Sequence, residues 1–390
     1  MRVLHVIPSV ASRYGGPSAA IGPMCRALID AGVDVHLAST DADGPGHLAV
    51  PLEVDTTWDE VPARFFRNDA TEAFKYSRGM AAWLRRHVRD FDLVHVHAVL
   101  SHAPIAAAAA CRRAGVPYVV RPLGTIASWS LGRKAWRKRV LLALAARRML
   151  HGAAAIHCTS AEEREDAART FGLTQGVVIP LGLDPALAQV PAGTREARRA
   201  DPYVLALSRL HPKKNLELLI DAFLDARAAD AASRWRLVIA GSGDEAYTTR
   251  LRQVVAARHA QADVTFAGWV ERDAKRVLLQ GASLFALPSQ HENFGVAVLE
   301  SLACGVPAVI SLEVQLAPAL LDAGAGWVVD STREALTGAL TEAMQTEARR
   351  EEKGQRATAM AARFAWPAIA RQMVALYDGL VPHAQPTQEG

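Results

Sequence analysis

Short runs rich in Val, Ile and Leu alternate with longer stretches of helical periodicity along almost the whole chain, and the alternation starts afresh near its middle. The first series of predicted strands is Val3–Ile7, Asp34–Ala38, Leu93–Val96, Tyr118–Arg121, Ala154–His157 and Val177–Ile179. The second is Tyr203–Leu207, Arg236–Ala240, Val264–Phe266, Leu284–Leu287, Ala308–Ile310 and Trp327–Val329. These runs show little polar alternation, which is the pattern of strands covered on both faces. Strand and helix in turn imply parallel sheets with right-handed crossovers. The expected fold class is therefore α/β, with two doubly wound, Rossmann-like domains.

The segment Leu181–Asp201 carries Pro185, Pro191 and Gly193 without clear periodicity and is read as an interdomain linker. The boundaries expected are 1–185 for the first domain, 186–365 for the second, and 366–390 for a final helix and tail returning to the first. A length of 390 residues suits two cores rather than one. Ligands of doubly wound sheets bind at the carboxyl ends of the strands, so two such sheets facing each other would share a cleft.

Several classes are argued against. The apolar start ends at Pro8, too early for a secretory leader. The longest uncharged stretch, Leu93–Cys111, contains three histidines and Pro104, and reads as strand, loop and Ala-rich helix rather than a membrane span. Cys25, Cys111, Cys158 and Cys304 form no CxxC and are expected to be buried, reduced thiols of a cytoplasmic protein. Aromatics make up only 6% of the chain and no nucleic-acid-binding motif appears, so no nucleic-acid partner is expected. No Gly-rich loop ending in Lys-Ser/Thr is present.

Three segments carry chemistry. In Leu284–Gly305 an apolar strand ends at Pro288, a polar loop follows, and a helix begins near Gly295. Free amides at that helix start could hold a phosphate or a sugar hydroxyl. Glu292 and Glu300 could accept hydrogen bonds from a polyol, or could be a helix cap and a solvated helix residue. In Tyr203–Ile220, Arg209, Lys213 and Lys214 follow a strand and precede a helix, a natural cradle for a diphosphate. In the first strand–loop–helix unit, Gly15 and Gly16 precede a helix beginning near Pro17 and would let the loop approach a ligand.

Together these segments resemble the retaining glycosyltransferases of family 4, with their two-domain GT-B fold. The likeness runs over almost the whole chain and is most specific in HENFGVAVLE followed by SLACGVP. The resemblance implies that Arg209 and Lys214 bind the donor diphosphate and that Glu292 touches the donor sugar. It further implies backbone contacts from Asn293, Phe294 and Gly295, ribose hydroxyls on Glu300, Gly15 and Gly16 bordering the diphosphate, and Gly241 and the turn Gly268–Val270 near the base. Ser208 stands where the family usually has Gly, and Leu123 where many members carry a His that contacts the donor sugar. The implied donor is a UDP- or GDP-sugar, the acceptor a polysaccharide or lipid-linked oligosaccharide, with neither metal nor other cofactor. The implied transfer retains anomeric configuration, cations stabilising the leaving phosphate in place of a metal. A nucleotide-sugar epimerase and a non-catalytic nucleotide-sugar-binding partner remain open alternatives.

Other signals are weaker. Asp41-Ala42-Asp43 resembles a metal-binding DxD but lacks its context. His95 and His97 share one side of a strand with no third ligand evident, and are read as satisfied core or cleft histidines rather than a metal site. Gly241-Ser242-Gly243 is followed by Ala246 where a dinucleotide site wants its last Gly. Between Leu93 and Ala161 there is no Asp or Glu but there are ten Arg or Lys, five of them from Arg133 to Arg139 beside Trp129 and Trp136. The predicted helix Arg133–Leu150, apolar and buried at Val140–Ala146, could rest its basic end on an anionic inner membrane surface or simply be solvated there.

Overall fold

In the computed structural model, the described residues are 1–390 apart from 15, 71–73, 124–135, 231, 271, 293 and 382–390; the side chains of 17, 19, 136–143, 185, 195 and 272 also lie outside the description. The chain divides into two compact units, Met1–Gly182 with Trp366–Gly390, and Leu183–Ala365. Among the described residues no helix is long and apolar enough to cross a membrane.

In chain order the first unit holds β1 (Arg2–Ser9), α1 (Gly16–Asp30), β2 (Asp34–Thr40), β3 (Ala42–Asp43), β4 (Gly46–His47), β5 (Asp55–Trp58), β6 (Val61–Phe66) and α2 (Arg78–His87). It continues with β7 (Leu93–His97), α3 (His102–Ala114), β8 (Tyr118–Arg121), α4 (Trp136–His151), β9 (Ala155–Cys158), α5 (Ala161–Phe171) and β10 (Gly176–Val178). The main sheet has the order β10-β9-β8-β7-β1-β2-β6-β5, so its strand order reverses between β1 and β7. It is parallel except for β5, which pairs antiparallel with β6. Neither β5 nor β6 was expected from the sequence. Their turn places Asp59 and Glu60 at φ 51° and 65°, conformations that Asn and Gly usually supply. Arg26 holds this turn, donating to the Asp59 carbonyl at 3.0 Å and pairing with its carboxylate at 2.5 Å.

The second unit runs α6 (Thr194–Ala200), β11 (Tyr203–Leu207), α7 (Leu216–Ala228), β12 (Arg236–Ala240), α8 (Glu245–Ala257), β13 (Val264–Gly268), α9 (Arg272–Gly281) and β14 (Leu284–Leu287). It ends with α10 (Val296–Ala303), β15 (Ala308–Ser311), α11 (Ala317–Ala323), β16 (Gly326–Val329), α12 (Arg333–Gln345) and α13 (Glu347–Ala361). Its sheet, β13-β12-β11-β14-β15-β16, is wholly parallel and reverses between β11 and β14. The segment read as an interdomain linker crosses the boundary after Gly182; from Leu183 on it belongs to this unit and contains α6, where Arg198 donates to the carbonyls of Gln280 and Cys304. Its central strands β14 and β15 are buried at every residue, as both-face coverage requires, while β13 at the edge is largely exposed.

The last helix, α14 (Trp366–Asp378), packs against α1 in the first unit. Trp366 sits where a Cβ on Gly182 would come within 2.1 Å of its ring, so glycine at 182 admits the indole. The sheet face under α14 is polar. His5 and His95 are register partners, as are His97 and Arg121, and His157 joins them from β9, all buried. The opposite face, with Leu4, Val6, Val94, Val96, Val120 and Ile156, is apolar.

Half of this polar layer forms a directional chain. The Ile179 carbonyl can only accept, so Nε2–H of His157 donates to it at 2.8 Å. Burial first, and then neighbouring charge, lowers His157 to about 3 and His95 well below its ordinary value, so both rings are neutral. Nδ1 of His157 therefore accepts from His95 at 3.3 Å, and Nδ1 of His95 accepts from the Tyr377 hydroxyl at 2.6 Å. The chain ties α14 to β7, to β9 and to Ile179, the residue that follows β10. Tyr377→Phe removes its only hydroxyl and leaves a buried acceptor unpaired; urea unfolding is expected to show a loss of about 1–2 kcal/mol, and an unchanged midpoint would contradict this account.

Candidate functional site

The second sheet brings its chemistry together at the carboxyl ends of its strands, around the reversal between β11 and β14. After β11 the chain passes Ser208 and the exposed Arg209, then forms one tight turn, Pro212–Lys214. His211 caps that turn by accepting from the Lys213 N–H, and Asn215, at φ 56°, starts α7. After β14, the N–H of Gln290 donates to the Lys213 carbonyl at 2.8 Å. Glu292 then pairs like a strand with Val314, exchanging bonds with Glu313 and Gln315. The result is a contact between the Lys214 ammonium and the Glu292 carboxylate, 15% and 21% exposed at the side chain.

Burial, followed by repulsion from Arg209 and Lys213, brings the Lys214 ammonium down to about 8. The repulsion means that Arg209 lies near enough to feel the same field. Three cations thus converge with one carboxylate at the rim of the sheet, an arrangement short of negative charge.

Gly295, at φ 74°, begins α10, and a side chain there would crowd Val314 at 3.2 Å. The first amides of α10 face the loop without intrahelical partners. Phe294 turns its ring inward, 7% exposed and 6.0 Å from the ring of Phe364, so only its backbone is available to a ligand. Glu300 pairs through one oxygen with Lys275 at 2.6 Å, while its other oxygen is buried without a hydrogen-bond partner. The hydroxyl of Ser289 is buried and unpartnered as well. Lys275 and Ser289 were missed by the sequence reading; the salt bridge from α9 to α10 spans 25 residues and leaves no local spacing signal.

Gly241 follows β12 at φ 134°, and a Cβ there would sit 1.8 Å from the Ser208 carbonyl. Gly243 stands in the same relation to Leu210, at 2.0 Å. Both glycines let the β11 and β12 loops lie backbone to backbone. Val270 is half-buried just past β13, beside the exposed Trp269. Gly16 opens α1 in the first unit; it is exposed, and a Cβ added there would meet nothing within 4 Å. Gly15 and Asn293 lie outside the described residues.

Asp41 is 1% exposed and its carboxylate is taken by the Asn68 N–H, His47 and Arg67. Asp43 pairs with Arg13. His95 and His97 do have a third imidazole beside them: the candidate ligand atoms of His5, His95 and His97 lie within 4.8 Å of one another. The sequence could not show this because His5 comes from β1. Their reading as satisfied histidines holds for His95 but not for His97, whose Nδ1 has no partner. All four cysteines are buried and free. Leu144, expected to be buried in α4, is 59% exposed.

Two doubly wound α/β units, the second with cations and carboxylates at its strand ends, define the GT-B class of fold. The sequence matches the glycosyl transferase 4-like domain over residues 15–182 and glycosyl transferases group 1 over residues 194–360. The chain belongs to the group 1 glycosyltransferases. It is 34% identical over 226 residues to a Mycobacterium tuberculosis GDP-mannose-dependent alpha-(1-6)-phosphatidylinositol dimannoside mannosyltransferase, covering 56% of each chain, so the match spans little more than half of that relative. It is 27% identical over 322 residues to the D-inositol 3-phosphate glycosyltransferase of Thermomonospora curvata, covering 77% of this chain and 74% of the other. Among solved structures, a sucrose-phosphate synthase of Thermosynechococcus elongatus superposes with TM-score 0.76 at 19% identity, over 97% of this chain and 99% of that one. Anabaena HepE in complex with UDP and glucose gives 0.74 at 20% identity, over 97% and 100%.

The two kinds of glycine make a stability prediction. Gly241→Ala forces apart the Ser208 loop and is expected to cost about 3 kcal/mol or more, whereas Gly16→Ala stays within about 0.5 kcal/mol. Thermal unfolding of the two variants beside the wild type measures the difference, and equal midpoints would refute the close-approach account.

Proposed function

We propose that the protein moves a hexosyl group from a nucleoside-diphosphate sugar, UDP- or GDP-linked, to a glycan or lipid-linked acceptor, with retention of anomeric configuration and without a metal ion. The observation that carries this reading is the contact of Lys214 with Glu292 beside Arg209, at the carboxyl ends of β11 and β14. Breaking the glycosyl–phosphate bond builds negative charge on the leaving diphosphate. Arg209 and Lys214 neutralise it, and the open amides of α10 add their dipoles. Glu292 accepts from hydroxyls of the donor sugar, Glu300 from those of the ribose through its unpartnered oxygen, and Gly241, Val270 and the neighbouring Trp269 border the base. The acceptor then attacks on the face the diphosphate leaves, with no covalent carboxylate intermediate. The similarity to a relative named for GDP-mannose and to a structure holding UDP supports the donor class.

The charge state of Lys214 makes this testable. Its ammonium is held near 8 in the free protein. Only the protonated form attracts a diphosphate, so donor capture is full below that value and declines as pH rises through it. With a panel of UDP- and GDP-sugars and cell-extract acceptors, kcat/KM for the accepted donor is expected to fall above about pH 8. Lys214→Arg, whose charge persists, moves that fall to higher pH. Lys214→Ala is expected to lower kcat by about 100-fold or more. A pH profile indifferent to both substitutions, or a product whose anomeric proton is inverted by NMR, contradicts the mechanism.

A second observation bears on where the acceptor is met. Leu144 projects 59% exposed from α4, the helix that carries the basic run Arg137–Arg139 near its start. An apolar residue on a basic helix is the composition that rests on an anionic bilayer, which supports action at the cytoplasmic membrane face. Cosedimentation with phosphatidylglycerol vesicles is expected to weaken when Arg133, Arg137 and Lys138 are changed to Glu; equal sedimentation would end this part of the reading.

A further inference from the structure

The polar layer of the first unit has a second half that its own hydrogen bonds do not satisfy. Nδ1 of His5 and Nε2 of His97 share one bond at 3.1 Å, which leaves Nε2 of His5 and Nδ1 of His97 buried without partners. Beside them stands Arg121, 2% exposed, with Nε and Nη1 also unpartnered. Among the described residues no carboxylate forms an ion pair with this guanidinium. The acid whose field it feels most is Glu163, and an oxygen of that side chain already accepts from the N–H and hydroxyl of Thr159. A buried cation without a direct ion pair is costly, and leaving its donors unpaired adds to the cost.

The place of this cluster in the fold argues for a ligand. His97 is the last residue of β7 and Arg121 the last of β8. The first sheet reverses its order between β1 and β7, and in open α/β sheets ligands sit outside the carboxyl ends of the strands at that reversal. The chain leaves both strands through strained backbone. Ala98 has φ 75° and Leu123 φ 59°, left-handed conformations that non-glycine residues adopt at a cost. The Ala98 N–H donates to the Arg121 carbonyl at 2.9 Å, so the two strained exits are coupled.

The chemistry selects an anion over a cation. His5, His95 and His97 are near enough together for a metal ion. Both ring nitrogens of His95 are engaged, however, by Tyr377 and His157, and the adjacent guanidinium repels a cation. What the cluster offers is a guanidinium with unpartnered N–H groups on more than one edge, at Nε and Nη1, and an imidazole N–H available at His97 when its Nδ1 carries the proton. That set matches the oxygens of a phosphate or carboxylate. Because Arg121 is so covered, the group it takes must be small, a single oxyanion at the end of a longer molecule.

We propose that Arg121 and His97 form an anion subsite of the first unit that takes the phosphate or carboxylate terminus of the acceptor. The subsite itself stands on the geometry, while its assignment to the acceptor rests on the glycosyltransferase reading. The subsite explains why a guanidinium is kept buried amid neutral imidazoles at the end of a central strand.

The test is a thermal-shift titration in the presence of saturating UDP or GDP, whichever stabilises the protein, so that the diphosphate cradle of the second unit is filled. Inorganic phosphate, glycerol phosphate and glucuronate are then added separately. The midpoint is expected to rise with the logarithm of glycerol phosphate concentration, and Arg121→Met is expected to abolish the rise. Arg121→Lys and His97→Gln should each weaken the apparent affinity by about tenfold. Arg121→Met should leave the ligand-free midpoint unchanged or higher, because it removes buried donors that have no partners; a merely structural arginine would instead show a large loss with no anion response in the wild type. A response to inorganic phosphate alone overturns the acceptor assignment and leaves an ion site. Stabilisation by zinc, with none by any oxyanion, overturns the subsite. If no oxyanion acts while UDP or GDP still stabilises, the subsite fails and the donor reading survives. If oxyanions act and neither nucleotide does, the donor reading fails and the subsite survives.

Discussion

One backbone hydrogen bond fixes the working end of the second unit. The loops after β11 and β14 leave the sheet where its order reverses, and their helices diverge from that point. The Gln290 N–H and the Lys213 carbonyl hold them together. The bond lies one residue from Lys214 and two from Glu292, so the ammonium and the carboxylate are set by main chain rather than by the choice of long rotamers. Glu292 is fixed a second time through its ladder with Val314. A charge pair held in this way needs little reorganisation when a ligand arrives, and preorganisation is the main source of electrostatic catalysis.

The two units handle buried polarity in opposite ways. The second keeps its sheet apolar on both faces and places charge at the rim, where Lys214, Glu292, Lys275 and Glu300 remain partly exposed. The first carries four imidazoles and a guanidinium inside the sheet itself. Such a layer is tolerable only if the histidines stay neutral, and both burial and the field of Arg121 hold them so. The satisfied branch of the layer, from Tyr377 to Ile179, gives α14 a specific seat on its sheet rather than a greasy one. That matters for a helix that reaches its unit only after the chain has built the other.

The legible part of the fold was the part governed by local pattern. Strands such as Tyr203–Leu207 and Leu284–Leu287 follow directly from apolar runs bounded by Pro or polar loops, and they carry the cations and carboxylates that the motifs pointed to. The hairpin of β5 and β6 was illegible because its turn uses Asp59 and Glu60 in conformations that sequence rules reserve for Asn and Gly. Helix α6 was hidden by the Pro and Gly residues ahead of it. At the site, Lys275 could not be read because its partner is on another helix, and the histidine layer could not because it is assembled across β1, β7 and β9. Gly241 shows a subtler limit: its place after a strand points to a ligand, while the structure gives it a second, steric reason in the Ser208 carbonyl.

The same pairing rule explains why an acid should stand beside a diphosphate cradle at all. A carboxylate repels phosphate, so Glu292 would weaken a site built for phosphate alone. In the resting protein it compensates Lys214, which burial and two neighbouring cations otherwise destabilise as an ammonium. A sugar diphosphate carries both complements at once, oxyanions for the cation and hydroxyl donors for the carboxylate. On the proposed reading, its arrival replaces one salt bridge by two matched contacts. A bare phosphate satisfies only Lys214 and leaves Glu292 facing like charge, and a bare sugar satisfies only Glu292 and leaves the cations uncompensated. The geometry therefore discriminates for the joined molecule by penalising each half, which is how a site gains specificity without additional attractive contacts.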